Sequence, residues 1–142
     1  MRYADTCLLV SLFFRDSGTD AALTWLQVAG VEPVMASHWS LTEFSSAAGL
    51  RARAGQITPK LHREALAKFR RFAAKRLILI PPKSADFEHA AVLLDHFESG
   101  LRAGDALHLV ICIRQGATLC TADNTLAEAA VALGIETKKV GC

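Results

Sequence analysis

Four acidic residues occupy positions that an ordinary surface acid would not favour. Asp5 and Asp123 follow stretches that are typical of strands, "MRYA" and "TLCTA". Glu43 lies beside an apolar helix face, and Asp105 opens a helix that is otherwise nearly all apolar. Each acid alone has a local explanation as a helix cap, a first-turn acid or a side chain that reaches solvent. Because four such coincidences are less expected than one shared site, we predict that these carboxylates converge.

Converging carboxylates have a specific chemical use. Several of them in one dry crevice raise one another's pKa, and a divalent cation removes that conflict. Mg²⁺ or Mn²⁺ suits a set of oxygen ligands that has no thiolate or histidine pattern beside it. Such an ion generates a hydroxide nucleophile and stabilises the charge that develops on a phosphodiester. The residue types therefore indicate metal-dependent hydrolysis of phosphodiester bonds.

Apolar periodicity, capping residues and turn residues predict the elements that position these acids. Strands are expected at 2–4, 33–36, 77–80, 118–122 and 136–140. Helices are expected at 6–14, 19–29, 39–54, 59–75, from 84 onward, at 104–114 and at 124–133. This alternation predicts an α/β fold, a three-layer α/β/α sandwich with a central parallel sheet, as one domain over residues 1–142. Since parallel sheets bind ligands beyond the carboxyl ends of their strands, Asp5 and Asp123 are expected at the same edge.

Charge is unevenly distributed along the chain. The net charge is only +2, but residues 51–76 carry nine Lys or Arg and one acid, whereas the remainder carries seven basic and thirteen acidic residues. This distribution is typical of a surface that contacts a polyanion beside a site that binds cations. Lys68, Arg70 and Arg71 are therefore candidate nucleic-acid contacts, although a solvated helix face explains the same charges.

The apolar stretches and the cysteines bear on where the protein works. The longest apolar stretches, 7–14 and 106–113, are well short of the roughly 20 residues that cross a bilayer. No signal-peptide cleavage site follows the first, so we expect a cytoplasmic protein that does not bind membranes. The four cysteines form no C-x-x-C pair, and we expect reduced thiols, three of them packed in the core. The strand "LILI" at 77–80 is likewise expected to be buried.

Four short motifs together carry a family resemblance: "ADT", "TEF", "RAGDALHL" and "TADNTLA", in that order. Over residues 3–140 the chain resembles the PIN-domain ribonucleases, in particular the VapC-type toxins of bacterial toxin–antitoxin pairs. The resemblance implies a PIN-like fold and an endoribonuclease that cleaves RNA, with Mg²⁺ (or Mn²⁺) bound by the acidic quartet Asp5, Glu43, Asp105 and Asp123. It also implies a homodimer and an antitoxin partner, with DNA bound only indirectly through the antitoxin.

The residues around the motif acids receive more indirect assignments. By the same resemblance, Thr6, Thr121 and Asn124 flank the acids and help to order the site. Cys7 stands where the family often has a small residue such as serine, a change that alters packing but removes no ligand. His108 is expected to be a helix-cap or packing residue rather than a general base, because a metal-bound water needs no histidine to become nucleophilic.

Two other functions stay open at this point. A catalytically silent PIN-like module could bind RNA or protein with the same fold, and a small phosphatase of another α/β family could use a similar set of acids. The haloacid-dehalogenase pattern needs a second Asp two residues after the first, and Cys7 occupies that place. The sequence has neither a Walker A motif nor a G-x-G-x-x-G motif, which disfavours nucleotide-cofactor functions.

Overall fold

Five short parallel strands form one sheet in the computed structural model of the protein, which describes residues 1–96 and 100–141. The strands are β1 Arg2–Ala4, β2 Val34–Ser37, β3 Leu77–Ile80, β4 Thr118–Thr121 and β5 Thr137–Lys139. Their order across the sheet is β3-β2-β1-β4-β5, and every neighbouring pair is parallel. The parallel sheet predicted from the sequence is confirmed, and β1 is its central strand.

Helices pack on both faces of this sheet. They are α1 Thr6–Phe13, α2 Thr19–Ala29, α3 His38–Arg53, α4 Pro59–Arg76, α5 Ser84–His96, α6 Ala103–Gln115 and α7 Asn124–Ala132. Consecutive side chains of β1 point to opposite faces: Tyr3 packs in a core with α5, α6 and α7, and Ala4 packs in a core with α1 to α4. The predicted α/β class and three-layer α/β/α arrangement are confirmed.

Local sequence signals explain where the helices that carry the site begin and end. The Ser37 hydroxyl accepts the Trp39 N–H at 3.0 Å and so caps α3. α6 ends at Gln115 and is capped by Gly116, whose φ of 60° lies in the left-handed region that glycine adopts without a steric penalty. Residues 106–112 of α6 are all buried, which explains its apolar sequence. Even so, no helix within residues 1–96 and 100–141 combines the length and apolar character needed to span a bilayer.

The predicted burial of β3 is wrong. β3 is the outermost strand on its side of the sheet, and Ile78 is consequently 39% exposed. Of the four cysteines, three of which were expected in the core, Cys112 and Cys120 are buried, and Cys142 lies outside the described residues. Cys7 is exposed, because it lies on the first turn of α1 at the carboxyl edge of the sheet.

Candidate active site

The strand order reverses between β1 and β4. From β1 the chain moves outward to β2 and β3, and it then returns to place β4 and β5 on the other side of β1. In open parallel sheets, ligands bind in the crevice at such a switch point. Asp5 directly follows β1, and its N–H donates to the Cys120 carbonyl oxygen of β4 at 3.3 Å. Asp123 follows β4 after one intervening residue, so both strand-end acids lie at this crevice.

Asp5 is a buried helix cap. One carboxylate oxygen accepts the Leu8 N–H at 3.0 Å, and the other accepts the Thr121 hydroxyl at 2.5 Å. Burial raises the pKa of Asp5 to about 6, because the two hydrogen bonds only partly offset the loss of water and Asp123 adds repulsion. This carboxyl is therefore held in one orientation, yet its charge is poorly compensated.

Asp123 and Asp105 also lie at helix N-termini. Asp123 caps α7 by accepting the Leu126 N–H at 3.2 Å. Asp105 is the third residue of α6 and accepts the Arg102 N–H at 3.3 Å. Burial raises the pKa of Asp105, and the charges of Asp123 and Glu43 raise it further. The capping explanation offered by the sequence is thus correct for both acids, and it coexists with their placement beside one another.

Glu43 projects from α3 and is held by two donors. The Thr6 hydroxyl donates to Glu43 Oε1 at 2.7 Å, and His108 Nε2 lies 2.5 Å from the same oxygen. Because an ionised carboxylate only accepts, Nε2 carries the proton of this hydrogen bond. Burial alone would raise the pKa of Glu43, but the hydrogen bonds from His108 and Thr6 outweigh burial and lower it. On the far side of the imidazole, the buried Tyr3 hydroxyl lies 2.7 Å from Nδ1.

A glycine lets Glu43 approach the first turn of α6. A Cβ placed on Gly104 would lie 2.7 Å from Glu43 Oε2 and 3.3 Å from Trp39 Nε1. Any other residue at position 104 would therefore require the Glu43 side chain to shift. The Trp39 indole N–H is buried beside this point and has no hydrogen-bond partner within the described part of the chain.

Hydrogen bonds and close contacts place the four acids along one crevice. The Thr121 hydroxyl contacts both the Asp5 carboxylate and the Asp123 N–H. Thr6, next to Asp5 in the chain, donates to Glu43, and Glu43 Oε2 lies against Gly104, next to Asp105. Loss of water around the sulfur and the negative charges of all four acids raise the pKa of Cys7, on the first turn of α1, to about 12. The structure therefore places the four residues that the sequence singled out at the same edge of the sheet.

The comparison with known families decides the classification. A PIN domain family model matches residues 2–132. The chain belongs to the PIN-domain family. No curated protein matches it at a significant level.

Solved structures share the fold of this PIN domain. Mycobacterium tuberculosis VapC20, described as a sarcin-ricin loop cleaving toxin, superposes with a TM-score of 0.73 at 20% identity over 91% of this chain and 95% of the toxin chain. VapBC2 from Rickettsia felis, solved with a promoter DNA fragment, superposes with a TM-score of 0.72 at 16% identity. The match covers 99% of this chain and 100% of the VapBC2 chain. FitAcB from Neisseria gonorrhoeae gives 0.70 at 15% identity over 96% of each chain. At these identities the likeness concerns the fold.

The acids of this PIN domain fit a divalent cation by donor type. Among residues 1–96 and 100–141, no group of three or more Asp, Glu, His or Cys side chains is arranged so that it could hold a metal ion as it stands. Each carboxylate nevertheless keeps free lone pairs, because Asp123 and Asp105 each accept one hydrogen bond and Glu43 accepts its bonds on Oε1 alone. The Glu43 carboxylate occupies the place that a side chain at position 104 would take. Carboxylate oxygens such as these are the donors that Mg²⁺ and Mn²⁺ prefer.

The flanking residues divide into those that contact the acids and one that does not. The Thr6 hydroxyl donates to Glu43, and the Thr121 hydroxyl donates to Asp5 and accepts the Asp123 N–H at 3.0 Å. Asn124 is exposed, and within the described residues it makes no hydrogen bond to any of the four acids. Two of the three predicted neighbours therefore contact the site.

His108 is the site residue that the sequence analysis missed. It is buried, as a packing residue should be, but it also bonds directly to Glu43 across 65 positions of the chain. A signal for this was present: His108 stands three residues after Asp105, which places both on one face of α6.

The three basic candidates on α4 do not share one surface. Lys68 lines a cleft with Arg51 and Phe14, whereas Arg70 lines another with Leu41 and Ser45. Side chains two positions apart on a helix point to nearly opposite sides, so the separation of Lys68 from Arg70 follows from helix geometry.

Proposed function

We propose that this PIN domain is a Mg²⁺- or Mn²⁺-dependent endoribonuclease and the toxin of a toxin–antitoxin pair. The observation that carries the proposal is that Asp5, Glu43, Asp105 and Asp123 border one crevice at the switch point of the sheet, linked through Thr6, Thr121 and the contact of Glu43 with Gly104. Within the described residues, no Lys or Arg forms an ion pair with any of these four acids. A cluster of four acids that the chain does not neutralise supports binding of an external cation.

In this proposal the four carboxylates hold the cation and the neighbouring side chains hold the carboxylates. When bound, a divalent cation supplies a hydroxide nucleophile and stabilises the negative charge on the phosphodiester. Thr121 and the Leu8 N–H fix Asp5, and Thr6 and His108 fix Glu43. Partners of this kind orient metal ligands and strengthen binding.

The partners of this PIN domain are proposed from its structural relatives. VapC20 is described as cleaving the sarcin-ricin loop, and VapBC2 was solved with promoter DNA. A further relative is a toxin–antitoxin complex from Klebsiella pneumoniae, with a TM-score of 0.62 at 20% identity. We extend these descriptions to an RNA substrate, a cognate antitoxin, a homodimer and a cytoplasmic location, with DNA bound only through the antitoxin.

Cleavage assays on acid variants test the activity. We expect the purified protein to cut RNA stem–loops in Mg²⁺ or Mn²⁺ and to stop cutting in EDTA. Asp5→Asn and Asp105→Asn should each lower the cleavage rate by at least about 100-fold, because loss of a second-layer partner alone often costs 10- to 100-fold. Asp95→Asn, on the exposed part of α5, is the matched control and should cleave normally. Unchanged cleavage by both site variants would refute the assignment.

The silent binding module is the second candidate. Two observations favour it: Asp5, Asp105 and Asp123 each serve as a helix cap or first-turn acceptor, and within the described residues no group of three or more Asp, Glu, His or Cys side chains could hold a metal ion as it stands. Titration calorimetry with Mn²⁺ separates the two candidates. Heat of binding that disappears in Asp5→Asn supports the nuclease, whereas no binding by the wild-type protein supports the silent module.

A further inference from the structure

A cleft runs along α1 and α3 and includes Glu43 of the acidic site. Its volume is about 630 Å³, and Thr6 and Cys7 line it beside Glu43. Two arginines, Arg51 and Arg102, and one further acid, Asp16, line it together with polar and apolar side chains of both helices. Asp16 accepts hydrogen bonds from the Ser11 hydroxyl and the Gly18 N–H, so the cleft joins the acidic site to two arginines that Asp16 does not pair with.

A second cleft begins where the first one ends. Its volume is about 450 Å³, and it lies between the end of α1 and the start of α4, with Lys68 on its wall. Arg51 lines both clefts, so the two meet at this side chain. Together they extend from the acids to the basic helix α4.

Arg51 is held in place at the junction. Its guanidinium lies 5.2 Å from the centre of the Phe14 ring, and one of its N–H groups donates to the Ala47 carbonyl oxygen at 3.2 Å. An arginine stacked on an aromatic ring keeps its remaining donors in a fixed plane, which suits bidentate contact with a phosphate. The junction therefore offers oriented N–H donors rather than a freely moving charge.

The cations along these clefts are not neutralised by the chain. Within residues 1–96 and 100–141, neither Arg51, Arg102 nor Lys68 forms an ion pair with an acid. The one acid on the second wall, Glu64, lies 4.0 Å from Lys60. Three positive charges along a groove that starts at the acids are complementary to a chain of phosphates.

We propose that the two clefts form one path for single-stranded RNA, with phosphates contacting Arg102 and Arg51 near the acids and Lys68 farther along. The inference rests on the proposed function, because it takes the acids as the point of cleavage. It replaces the basic trio suggested by the sequence: Arg70 lines a different cleft, and Arg71 is exposed outside both. A protein segment is the alternative occupant, and it would leave RNA affinity independent of these cations.

Salt-dependent RNA binding tests the path. A fluorescent single-stranded oligoribonucleotide is titrated with the full chain in EDTA, and anisotropy gives the dissociation constant at several salt concentrations. Each phosphate contact to a single strand contributes a salt slope of about 0.7, so Arg51→Gln should lower the slope by that amount and the triple variant with Lys68→Gln and Arg102→Gln by about 2. Arg51→Lys, which keeps the charge, should restore the slope.

Control variants keep the test decisive. Lys83→Gln removes an exposed positive charge outside both clefts and should leave the slope unchanged. An unchanged slope in the triple variant, with folding verified by thermal unfolding, overturns the path, as does an equal loss in Arg70→Gln/Arg71→Gln. Asp5→Asn separates this inference from the proposed function: it should abolish cleavage without reducing the salt slope.

Discussion

Two buried aspartates of this protein have opposite electrostatic surroundings. Asp5 and Asp86 are each 3% exposed, and each lies at the N-terminal end of a helix. Asp86 forms a two-pronged ion pair with Arg114, with N–O distances of 2.7 and 2.9 Å. The hydrogen bonds and charge of Arg114 lower the pKa of Asp86, whereas burial raises the pKa of Asp5 to about 6.

The difference separates an acid that stabilises the fold from acids that serve a site. A buried carboxylate that only supports structure is expected to form an ion pair with a basic side chain of the same protein, as Asp86 does with Arg114. Asp5 has hydroxyl and N–H donors but no such cation within the described residues. Glu43 lies between these two cases, because its nearest donor is an imidazole, which carries a positive charge only when it is protonated. A site for an external cation requires acids whose negative charge is not already balanced by the chain.

The largest expected effect is an opposite dependence of stability on pH. For Asp5 the folded pKa is raised, so without metal the free energy of unfolding should fall as the pH rises from about 4 to 6 and stay low above it. Asp5→Asn, which keeps a good cap, should therefore stabilise the metal-free protein above pH 6 by on the order of 3 kcal/mol. For Asp86 the folded pKa is lowered, so its contribution is present above about pH 4 and is lost as the pH falls through the folded pKa.

Urea unfolding in EDTA at pH 3, pH 5 and pH 7.5 measures both effects: the change between pH 5 and pH 7.5 reports Asp5, and the change between pH 3 and pH 5 reports Asp86. At pH 7.5, Asp86→Asn should destabilise the protein, because it removes the ion pair and leaves Arg114 partly buried without its partner. Should the two asparagine variants lose stability alike at pH 7.5, the contrast between the two aspartates would be wrong.

The next effect concerns His108 as the positioning residue of Glu43. His108→Leu removes the N–H that donates to Glu43, and we expect Mn²⁺ affinity to fall by about 10- to 100-fold, the usual result of deleting such a partner. In His108→Gln the amide N–H₂ stands near the position of Nε2, so affinity should return to within a few-fold of wild type. Calorimetry with Mn²⁺ provides the measurement and needs no RNA substrate.

The glutamine variant distinguishes hydrogen bonding from packing. If the leucine and glutamine variants bind Mn²⁺ equally weakly, the imidazole acts only by filling space between Tyr3 and Glu43. Thermal unfolding of both variants shows whether either one has lost the fold.

Local patterns predicted the elements and singled out the four acids as candidates. Asp5, Asp105 and Asp123 were recognisable because a strand end or a helix start marks each of them, and such signals depend on neighbours in sequence. The bond between His108 and Glu43, the contact of Glu43 with Gly104 and the stacking of Arg51 on Phe14 were not predicted, because they depend on how α3 packs against α6 and against the end of α1.

Two other placements have separate explanations. The separation of Lys68 from Arg70 follows from the helical repeat and could have been seen in the sequence. The exposure of Cys7 could not, because it depends on the crevice that the strand order creates above the sheet.

The smallest expected effect is on the reactivity of Cys7, and it tests whether all four acids belong to one site. Thiolate is the reactive form, so a pKa of about 12 should make this exposed thiol far slower toward iodoacetamide at pH 8 than an ordinary cysteine.

Neutralising any one of Asp5, Glu43, Asp105 or Asp123 removes one negative charge and should accelerate alkylation by about two- to tenfold, since a tenfold change corresponds to one pKa unit. Asp95→Asn should have no effect, and saturating Mg²⁺, which does not favour thiolate ligands, should accelerate the wild-type reaction in the same direction. Peptide mapping by mass spectrometry follows Cys7 separately from the other cysteines. Acceleration by only one or two of the four substitutions would mean that the remaining acids lie too far from Cys7 to share a cation with the others. The contrast between an acid paired with an arginine, Asp86, and acids that serve a site would then hold for Asp5 but not for all four.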